Sequence, residues 1–276
     1  GKLTFPRVIS PIKINDDFFE YSIPKTITSL GVNFLRRSQL YTLASGSAKY
    51  GYVWHANKFI TYEINPVSTN YTQLSNTTQE FEDILDENPF LRQSFDQQFI
   101  SGLNFSFTYN GMLSTSNNTP FYINSTIDVA GNSISLLSQD GEDGAPKEFL
   151  GLQYAQFAKA DVDLRFHYKF GEENNHTIAT RLFAGYGLPY GNSEVLPYVK
   201  QYFSGGPYSV RAFRIRSLGP GTYSGDEDLN TNDNFFDQTG NIRLEANIEY
   251  RFPLFSFFKG AVFTDAGNVW NSEPNP

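Results

Sequence analysis

The stretch Asn241-Ile242-Arg243-Leu244-Glu245-Ala246-Asn247-Ile248-Glu249-Tyr250-Arg251-Phe252 decides the fold class. Every odd-numbered position in it is charged or an asparagine, and every even-numbered position is apolar. Because successive side chains of a β-strand point to opposite faces, this period places the charges on one face and the apolar groups on the other. The same alternation recurs over 160–170 and, with asparagine, serine and threonine as the polar residues, over 103–110.

We expect about nine strands of this kind. Their ranges are 27–37, 41–54, 58–70, 103–110, 120–131, 160–170, 177–187, 241–252 and 260–270. Runs of about nine to thirteen residues suit a tilted transmembrane strand, which needs about 9–11. A soluble β-sandwich also alternates, with its polar residues outward, so periodicity alone leaves both classes open.

Two further features favour a membrane barrel. The apolar face ends in aromatic pairs, as the interfacial girdle of a barrel does. These pairs are Tyr52 with Trp54, Tyr168 with Phe170, and Tyr250 with Phe252. Short links near 55–58, 171–175 and 253–258 also interleave with long loops 71–98, 132–157 and 188–239. Because outer-membrane barrels have short periplasmic turns and long outer loops, we expect an all-β, antiparallel transmembrane β-barrel with long extracellular loops, forming one domain over 1–276.

Composition excludes several classes of protein. The net charge of -8 argues against a nucleic-acid-binding chain, which would carry a basic patch. The absence of cysteine excludes disulfides, thiolate metal sites and a cysteine nucleophile. No stretch approaches the ~18 consecutive apolar residues of a spanning helix. No serine lies in a nucleophile-elbow pattern and no histidine pair has metal-binding spacing, so we expect neither an enzyme nor a metal or cofactor site.

Two of the long loops have local patterns of their own. In 71–98, Thr77 and Glu80 form a capping-box pattern for one short helix, and Pro89 is expected at the first position of a second. In the last long loop, 226–237 begins with alternating acids like a calcium loop. It lacks the glycine at the sixth position and the glutamate at the twelfth that an EF-hand requires, so a hydrated loop is expected there.

The last long loop also carries a more specific pattern. It contains Gly205-Gly206-Pro207-Tyr208-Ser209-Val210-Arg211-Ala212-Phe213, followed by Glu249 in one strand and Phe263-Thr264-Asp265-Ala266-Gly267 in the next. This combination resembles the BamA/TamA superfamily of outer-membrane assembly and secretion barrels. That pattern is Gly-Gly and Val-Arg-Gly-Phe on the sixth outer loop, then Phe-x-Asp-x-Gly on the thirteenth of sixteen strands. Ala212 stands where the family has glycine, and the stretches 217–223 and 87–90 look most like the TamL-type lipoprotein branch.

The resemblance covers essentially the whole chain and implies strands five to thirteen of a sixteen-stranded barrel. Strands one to four, strands fourteen to sixteen and the periplasmic domains that precede such barrels are then expected to lie outside this sequence. The resemblance further implies that the loop 188–239 folds back into the lumen, where its arginine meets acids of the barrel strands.

Strand parity agrees with such a site. Glu249 falls on the polar face, and Phe263, Asp265 and Gly267 share one face of the next strand. The planar guanidinium of arginine can bind carboxylates bidentately, so we expect Arg211 to pair with Asp265, Glu249 or both. The alternative is that Arg211 is a solvated loop cation. The expected pair is structural and not catalytic, and Gly267 is expected to leave room for the loop backbone.

The resemblance implies an assembly or translocation factor of the bacterial outer membrane that helps to insert or export client proteins. The implied partners are the lipid bilayer, client outer-membrane or exported proteins, and a periplasmic or inner-membrane assembly partner. No cofactor and no nucleic acid are expected. Two alternatives stay open: a dedicated secretion pore of the two-partner type and a passive porin. The porin ranks last, because it has no reason to carry an arginine loop matched to an acidic strand face.

Overall fold

Strands dominate the secondary structure of the chain. The computed structural model describes residues 1–10, 22–37, 40–87, 89–96, 99–114, 116–138, 146–221 and 238–272. In chain order its elements are β1 (Lys2–Phe5), β2 (Lys25–Arg37), β3 (Tyr41–His55), β4 (Ile60–Ser75), α1 (Gln79–Glu87), α2 (Pro89–Asp96), β5 (Phe99–Asn110), β6 (Phe121–Ala130), α3 (Asn132–Ser135), β7 (Glu148–Phe149), β8 (Leu152–Gln153), β9 (Phe157–Phe170), β10 (His176–Pro189), β11 (Ile242–Pro253) and β12 (Lys259–Trp270). No helix in these ranges is long and apolar enough to cross a membrane.

Ten of the strands form one sheet in the order β1-β2-β3-β4-β5-β6-β9-β10-β11-β12, and β7 pairs with β8 in a separate hairpin. Chain neighbours pair antiparallel, for example β2 with β3 and β11 with β12. The prediction of an all-β, antiparallel fold is therefore confirmed. Within the described residues β1 and β12 have one neighbour each, so these strands alone do not close a barrel.

Each of the nine predicted ranges overlaps a strand of this sheet, and three differences remain. The tenth strand, β1, is four residues long and pairs with β2, so it is too short to show a period of its own. The β7–β8 hairpin lies within the predicted loop 132–157. Strand β4 continues to Ser75, because Thr42 and Leu43 of β3 pair with Ser75 and Leu74, and the first long loop is correspondingly shorter than predicted.

Both predicted helices of the first long loop are present, but the predicted capping box is wrong by one residue. Helix α1 begins at Gln79, and the Oγ1 atom of Thr78 accepts a hydrogen bond from the N–H of Phe81 at 3.4 Å. The N-cap is therefore Thr78 and not Thr77. Helix α2 begins at Pro89, as predicted, since proline lacks the N–H that the first helical position would leave unpaired.

The chain divides into two compact units. The first comprises Gly1–Phe107, Thr126–Lys159 and Leu188–Lys200. In it α1 and α2 pack on the start of β3, and the buried side chains at this contact are Tyr41, Leu43, Phe81, Leu85, Phe95 and Tyr198. The hydroxyl of Tyr41 donates to the hydroxyl of Tyr198 at 3.1 Å.

The second unit comprises Thr108–Ser125, Ala160–Gly187 and Gln201–Pro276. Its strand β11 has one face of exposed apolar side chains and one polar face. On β11, Ile248 is 51% exposed and Leu244 is 49% exposed, whereas Glu245 between them is only 4% exposed. The period of the sequence thus separates the two faces of β11 as predicted. The carboxylates of β11 lie on its less exposed face, so a functional site is expected on that face.

Candidate functional site

Residues 204–218 of the last long loop form a compact hairpin, which we call the loop hairpin. Ser204 and Leu218 pair across its base, and the N–H of Gly206 donates to the carbonyl oxygen of Phe213 at 2.9 Å. Gly205 and Gly206 have φ values of +98° and +96°, which side chains other than glycine rarely adopt. The Gly-Gly pair of the sequence motif therefore provides the backbone bend that starts the hairpin.

The hairpin lies against the polar face of β11 and the adjoining face of β12. In the register of these strands, Glu249 is opposite Phe263 and Asn247 is opposite Asp265. Because directly opposite residues of an antiparallel pair share a face, all four side chains lie on the same side of the sheet. The two strands thus offer two carboxylates, an amide and an aromatic ring to the loop.

Arg211 contacts both acids. Its Nε donates to Oδ2 of Asp265 at 2.8 Å and its Nη2 donates to Oδ1 of Asp265 at 2.8 Å, which is a bidentate pair. Its Nη1 donates to Oε2 of Glu249. The backbone N–H of Arg211 also donates to Oδ2 of Asp265 at 3.0 Å. We call Arg211, Asp265 and Glu249 the arginine site.

Two neighbouring side chains complete the arginine site. The guanidinium of Arg211 lies over the ring of Phe263, with its carbon 3.6 Å from the ring centroid, which is a cation–π contact. The Nδ2 of Asn247 donates both to Oδ1 of Asp265 and to the carbonyl oxygen of Ser209, each at 2.9 Å. Asn247 therefore bridges the acid and the loop backbone.

The arginine site is only partly accessible to solvent. The side chain of Asp265 is 4% exposed, that of Glu249 is 19% exposed and that of Arg211 is 25% exposed. The hydrogen bonds to Asp265 raise the pKa of Arg211 above its usual range, although burial opposes them, and those to Glu249 add to the effect. Arg211 accordingly stays a cation at every physiological pH.

The other residues of the loop motif have different roles. Val210 is buried, at 4% exposed, whereas Phe213 is 48% exposed. Ala212 is exposed and is not among the described residues with positive φ. The backbone at this position therefore does not need the glycine that the family pattern has there.

Gly267 lies close to the residues opposite it on β11. A Cβ atom on Gly267 would lie 2.7 Å from Cγ of Glu245 and 2.9 Å from the carbonyl oxygen of Leu244. Gly267 therefore makes room for the side chain of Glu245, its partner on β11. That it also leaves room for the loop backbone stays a prediction.

The sequence reasoning missed a second polar cluster on the same face. Its members are Glu245, Arg243, Arg181, Ser204 and Ser209. Strand parity already placed Glu245 on the face of Glu249, and that signal could have found it. Nothing in the spacing of the chain could have found the two serines, because their contact with β11 depends on the path of the loop.

No group of three or more histidine, aspartate or glutamate side chains in the described ranges is arranged to hold a metal ion. The calcium-like stretch 226–237 lies outside the described residues, as do the last two residues of 217–223 and one residue of 87–90.

Comparison with protein families matches residues 13–275 to the Omp85 superfamily domain. Among solved structures the chain is similar to BamA from Haemophilus ducreyi lacking POTRA domains 1–3, at 18% identity and a TM-score of 0.57, over 90% of this chain and 46% of that one. It is also similar to CdiB from Escherichia coli, at 14% identity and a TM-score of 0.47, over 91% of this chain and 40% of that one. The chain thus spans less than half the length of either structure. The likeness to BamA shows the fold, an antiparallel membrane β-barrel of which this chain is a part.

Proposed function

Because the chain belongs to the Omp85 superfamily, we propose that it is the middle-to-late part of a barrel that helps to insert or export client proteins at the bacterial outer membrane. The loop hairpin lies in the lumen, and the arginine site locks it against β11 and β12. The superfamily consists of non-enzymatic outer-membrane barrels, so the proposal involves no catalytic step and no cofactor.

The contact of Arg211 with two carboxylates on adjacent strands supports this proposal most directly. A loop arginine with no structural role would extend into solvent, where an ion pair contributes at most about 1 kcal/mol to stability. Arg211 instead makes a bidentate pair with Asp265, whose side chain is 4% exposed. Removing one partner of a buried pair costs about 3–5 kcal/mol, because the other charge is left without compensation.

The arginine site acts by holding the loop hairpin in one place. A hairpin pinned to β11 and β12 occupies one place on the polar face and keeps these two strands in register. Client strands would pair with exposed strand edges elsewhere in the barrel, by β-augmentation, and the free energy would come from the folding and burial of the client.

The test replaces the native copy of the full-length parent by Arg211→Ala and quantifies outer-membrane proteins by mass spectrometry. We expect a broad loss of client barrels or surface lipoproteins, while the variant itself still forms a barrel that migrates in a heat-dependent way on gels. The matched control is Arg214→Ala, since Arg214 is an exposed arginine of the same hairpin. The control should keep parental client levels.

Depletion of the full-length parent separates the candidate functions. Loss of one secreted partner alone would indicate a dedicated two-partner pore. Unchanged levels of every client on depletion, with steady ion conductance, would indicate a porin. Parental client levels in Arg211→Ala, together with a loop that resists protease as in the parent, would contradict the lock.

A further inference from the structure

Glu245 is a buried carboxylate that the arginine site does not use. Its side chain has no exposed surface, and it lies on β11 opposite Gly267. Arg243 binds it bidentately, with Nε at 2.9 Å from Oε1 and Nη2 at 2.8 Å from Oε2, and Nη1 of Arg181 lies 3.2 Å from Oε2. Two arginines from the strands therefore compensate the charge of Glu245, as a buried ion requires.

The remaining bonds of Glu245 come from the loop. The hydroxyl of Ser204 donates to its Oε1 at 2.8 Å, and the hydroxyl of Ser209 donates to the same oxygen. The N–H of Gly205 in turn donates to the hydroxyl of Ser209 at 2.9 Å. Ser204 and Ser209 are both buried, so the carboxylate holds the start of the hairpin and its tip at one point.

The backbone of β12 is shaped for this carboxylate. Only a residue without a Cβ atom leaves space for Cγ of Glu245, and Gly267 is such a residue. Arg181 adds a connection to a further strand, because its Nε lies 3.0 Å from Oδ2 of Asp163 on β9. Its Nη1 also donates to the carbonyl oxygen of Tyr208 on the hairpin at 3.3 Å.

We propose that Glu245 is a positioning residue that anchors the loop hairpin at a second point, separate from Arg211. Asn247, the partner of Asp265, lies two positions after Glu245 on β11 and Glu249 lies four positions after it, so along the strand the two points are roughly 7–13 Å apart at about 3.3 Å per residue. The hydroxyls of Ser204 and Ser209 bind Glu245, whereas the guanidinium of Arg211 binds Asp265 and Glu249. Two anchors this far apart fix the tilt of the hairpin, which one anchor leaves free. The inference rests on the proposed function in that the hairpin is taken as the element that has to be held.

The test removes the loop side of this contact and leaves the buried ion pairs of Glu245 in place. The variant is Ser204→Ala with Ser209→Ala in the full-length protein, reconstituted in a bilayer. The readout is hydrogen exchange of the Gly206, Phe213 and Arg216 amides, which are bonded within the hairpin. An isolated hairpin is only marginally stable in water, so these amides stay protected only while the hairpin is seated.

We expect these amides to exchange at least about tenfold faster in the double variant, or about 1.4 kcal/mol, because the hydrogen bonds of both serines to a charged group are lost. Amides of β11 and β12 should exchange at the parental rate, which a general loss of stability would not allow. Ser217→Ala is the matched control, because that hydroxyl bonds the carbonyl oxygen of Arg214 within the hairpin. It should stay within about twofold of the parent.

Parental protection in the double variant would overturn the proposal. If the double variant does not form a barrel, Ser204→Ala alone is measured in the same way, with the same two outcomes. Failure of this second anchor can be distinguished from failure of the proposed function. Faster exchange in the serine variants with normal client levels in Arg211→Ala would keep the second anchor and reject the proposed function, and the opposite pair of results would do the reverse.

Discussion

The two acids of the arginine site should contribute unequally to holding the loop. The informative pair of variants is Asp265→Asn and Glu249→Gln, which remove one charge each and keep the shape of the side chain. We expect Asp265→Asn to release the loop hairpin far more often than Glu249→Gln does.

The expected magnitude follows from the hydrogen bonds. Oδ1 of Asp265 accepts from Arg211 and Asn247, and Oδ2 accepts from Arg211 twice, through its Nε and its backbone N–H. Whichever carboxylate oxygen is replaced by the amide nitrogen of asparagine, the two N–H groups that bonded to it then face another N–H group. Both of those hydrogen bonds are lost. At about 1.5 kcal/mol or more for each bond to a charged group, the loss is about 3 kcal/mol. That corresponds to an increase of roughly 150-fold in the released population.

Glu249 should matter much less. Its Oε2 accepts one bond from Arg211, and its Oε1 accepts from Nε of Arg251 at 2.6 Å, a contact that does not involve the loop. A glutamine can direct its oxygen to Arg211, and the side chain of Glu249 is 19% exposed. The loss for a partly exposed pair is at most about 1 kcal/mol, or about fivefold.

The released population can be measured by electron–electron double resonance between two nitroxide labels. The chain has no cysteine, so labels can be attached at Ala212→Cys on the hairpin and Glu172→Cys in the turn between β9 and β10. Both positions are exposed. Release of the hairpin adds a second, broad component to the distance distribution. The reasoning is refuted if Glu249→Gln produces as large a component as Asp265→Asn, or if neither variant produces one.

Two further substitutions test local packing. Gly267→Ala should destabilise the barrel by about 1–3 kcal/mol through overpacking against Glu245, measured by urea unfolding, whereas Gly46→Ala on β3 meets open space and should be nearly neutral. Thr78→Ala should cost helix α1 about 1 kcal/mol, seen as faster amide exchange in its first turn, and an equal effect of Thr77→Ala would contradict the observed N-cap.

The strands could be predicted from the sequence because their alternation is a property of each strand alone. In β11 the charges and apolar groups separate completely, so the period gives both the strand and its two faces. Arg211, Asp265 and Glu249 could be named together because the resemblance to the family implied that the loop arginine meets strand acids, and strand parity agreed with these residues. The short β1 gave no such signal, since its place is fixed by pairing with β2.

What could not be predicted depends on the path of the loop. Nothing in the sequence distinguishes Ser204 and Ser209 from other loop serines. Their hydroxyls reach Glu245 because the backbone bends at Gly205. The close approach of Glu245 to Gly267 was missed for a related reason. A glycine in a strand indicates a close approach, but the register decides which group approaches, and here it is the opposite side chain.

The order of the parts along the chain has a consequence for folding. Arg211 precedes Glu249 by 38 residues and Asp265 by 54, so the loop is synthesised before the strands that hold it. The cost in entropy of closing such a segment grows only slowly with its length. The hairpin can therefore dock as soon as β10, β11 and β12 have paired, because its contacts with Arg181, Glu245 and Asp265 lie on these strands. A barrel built in this order would have its loop in place before its first and last strands meet.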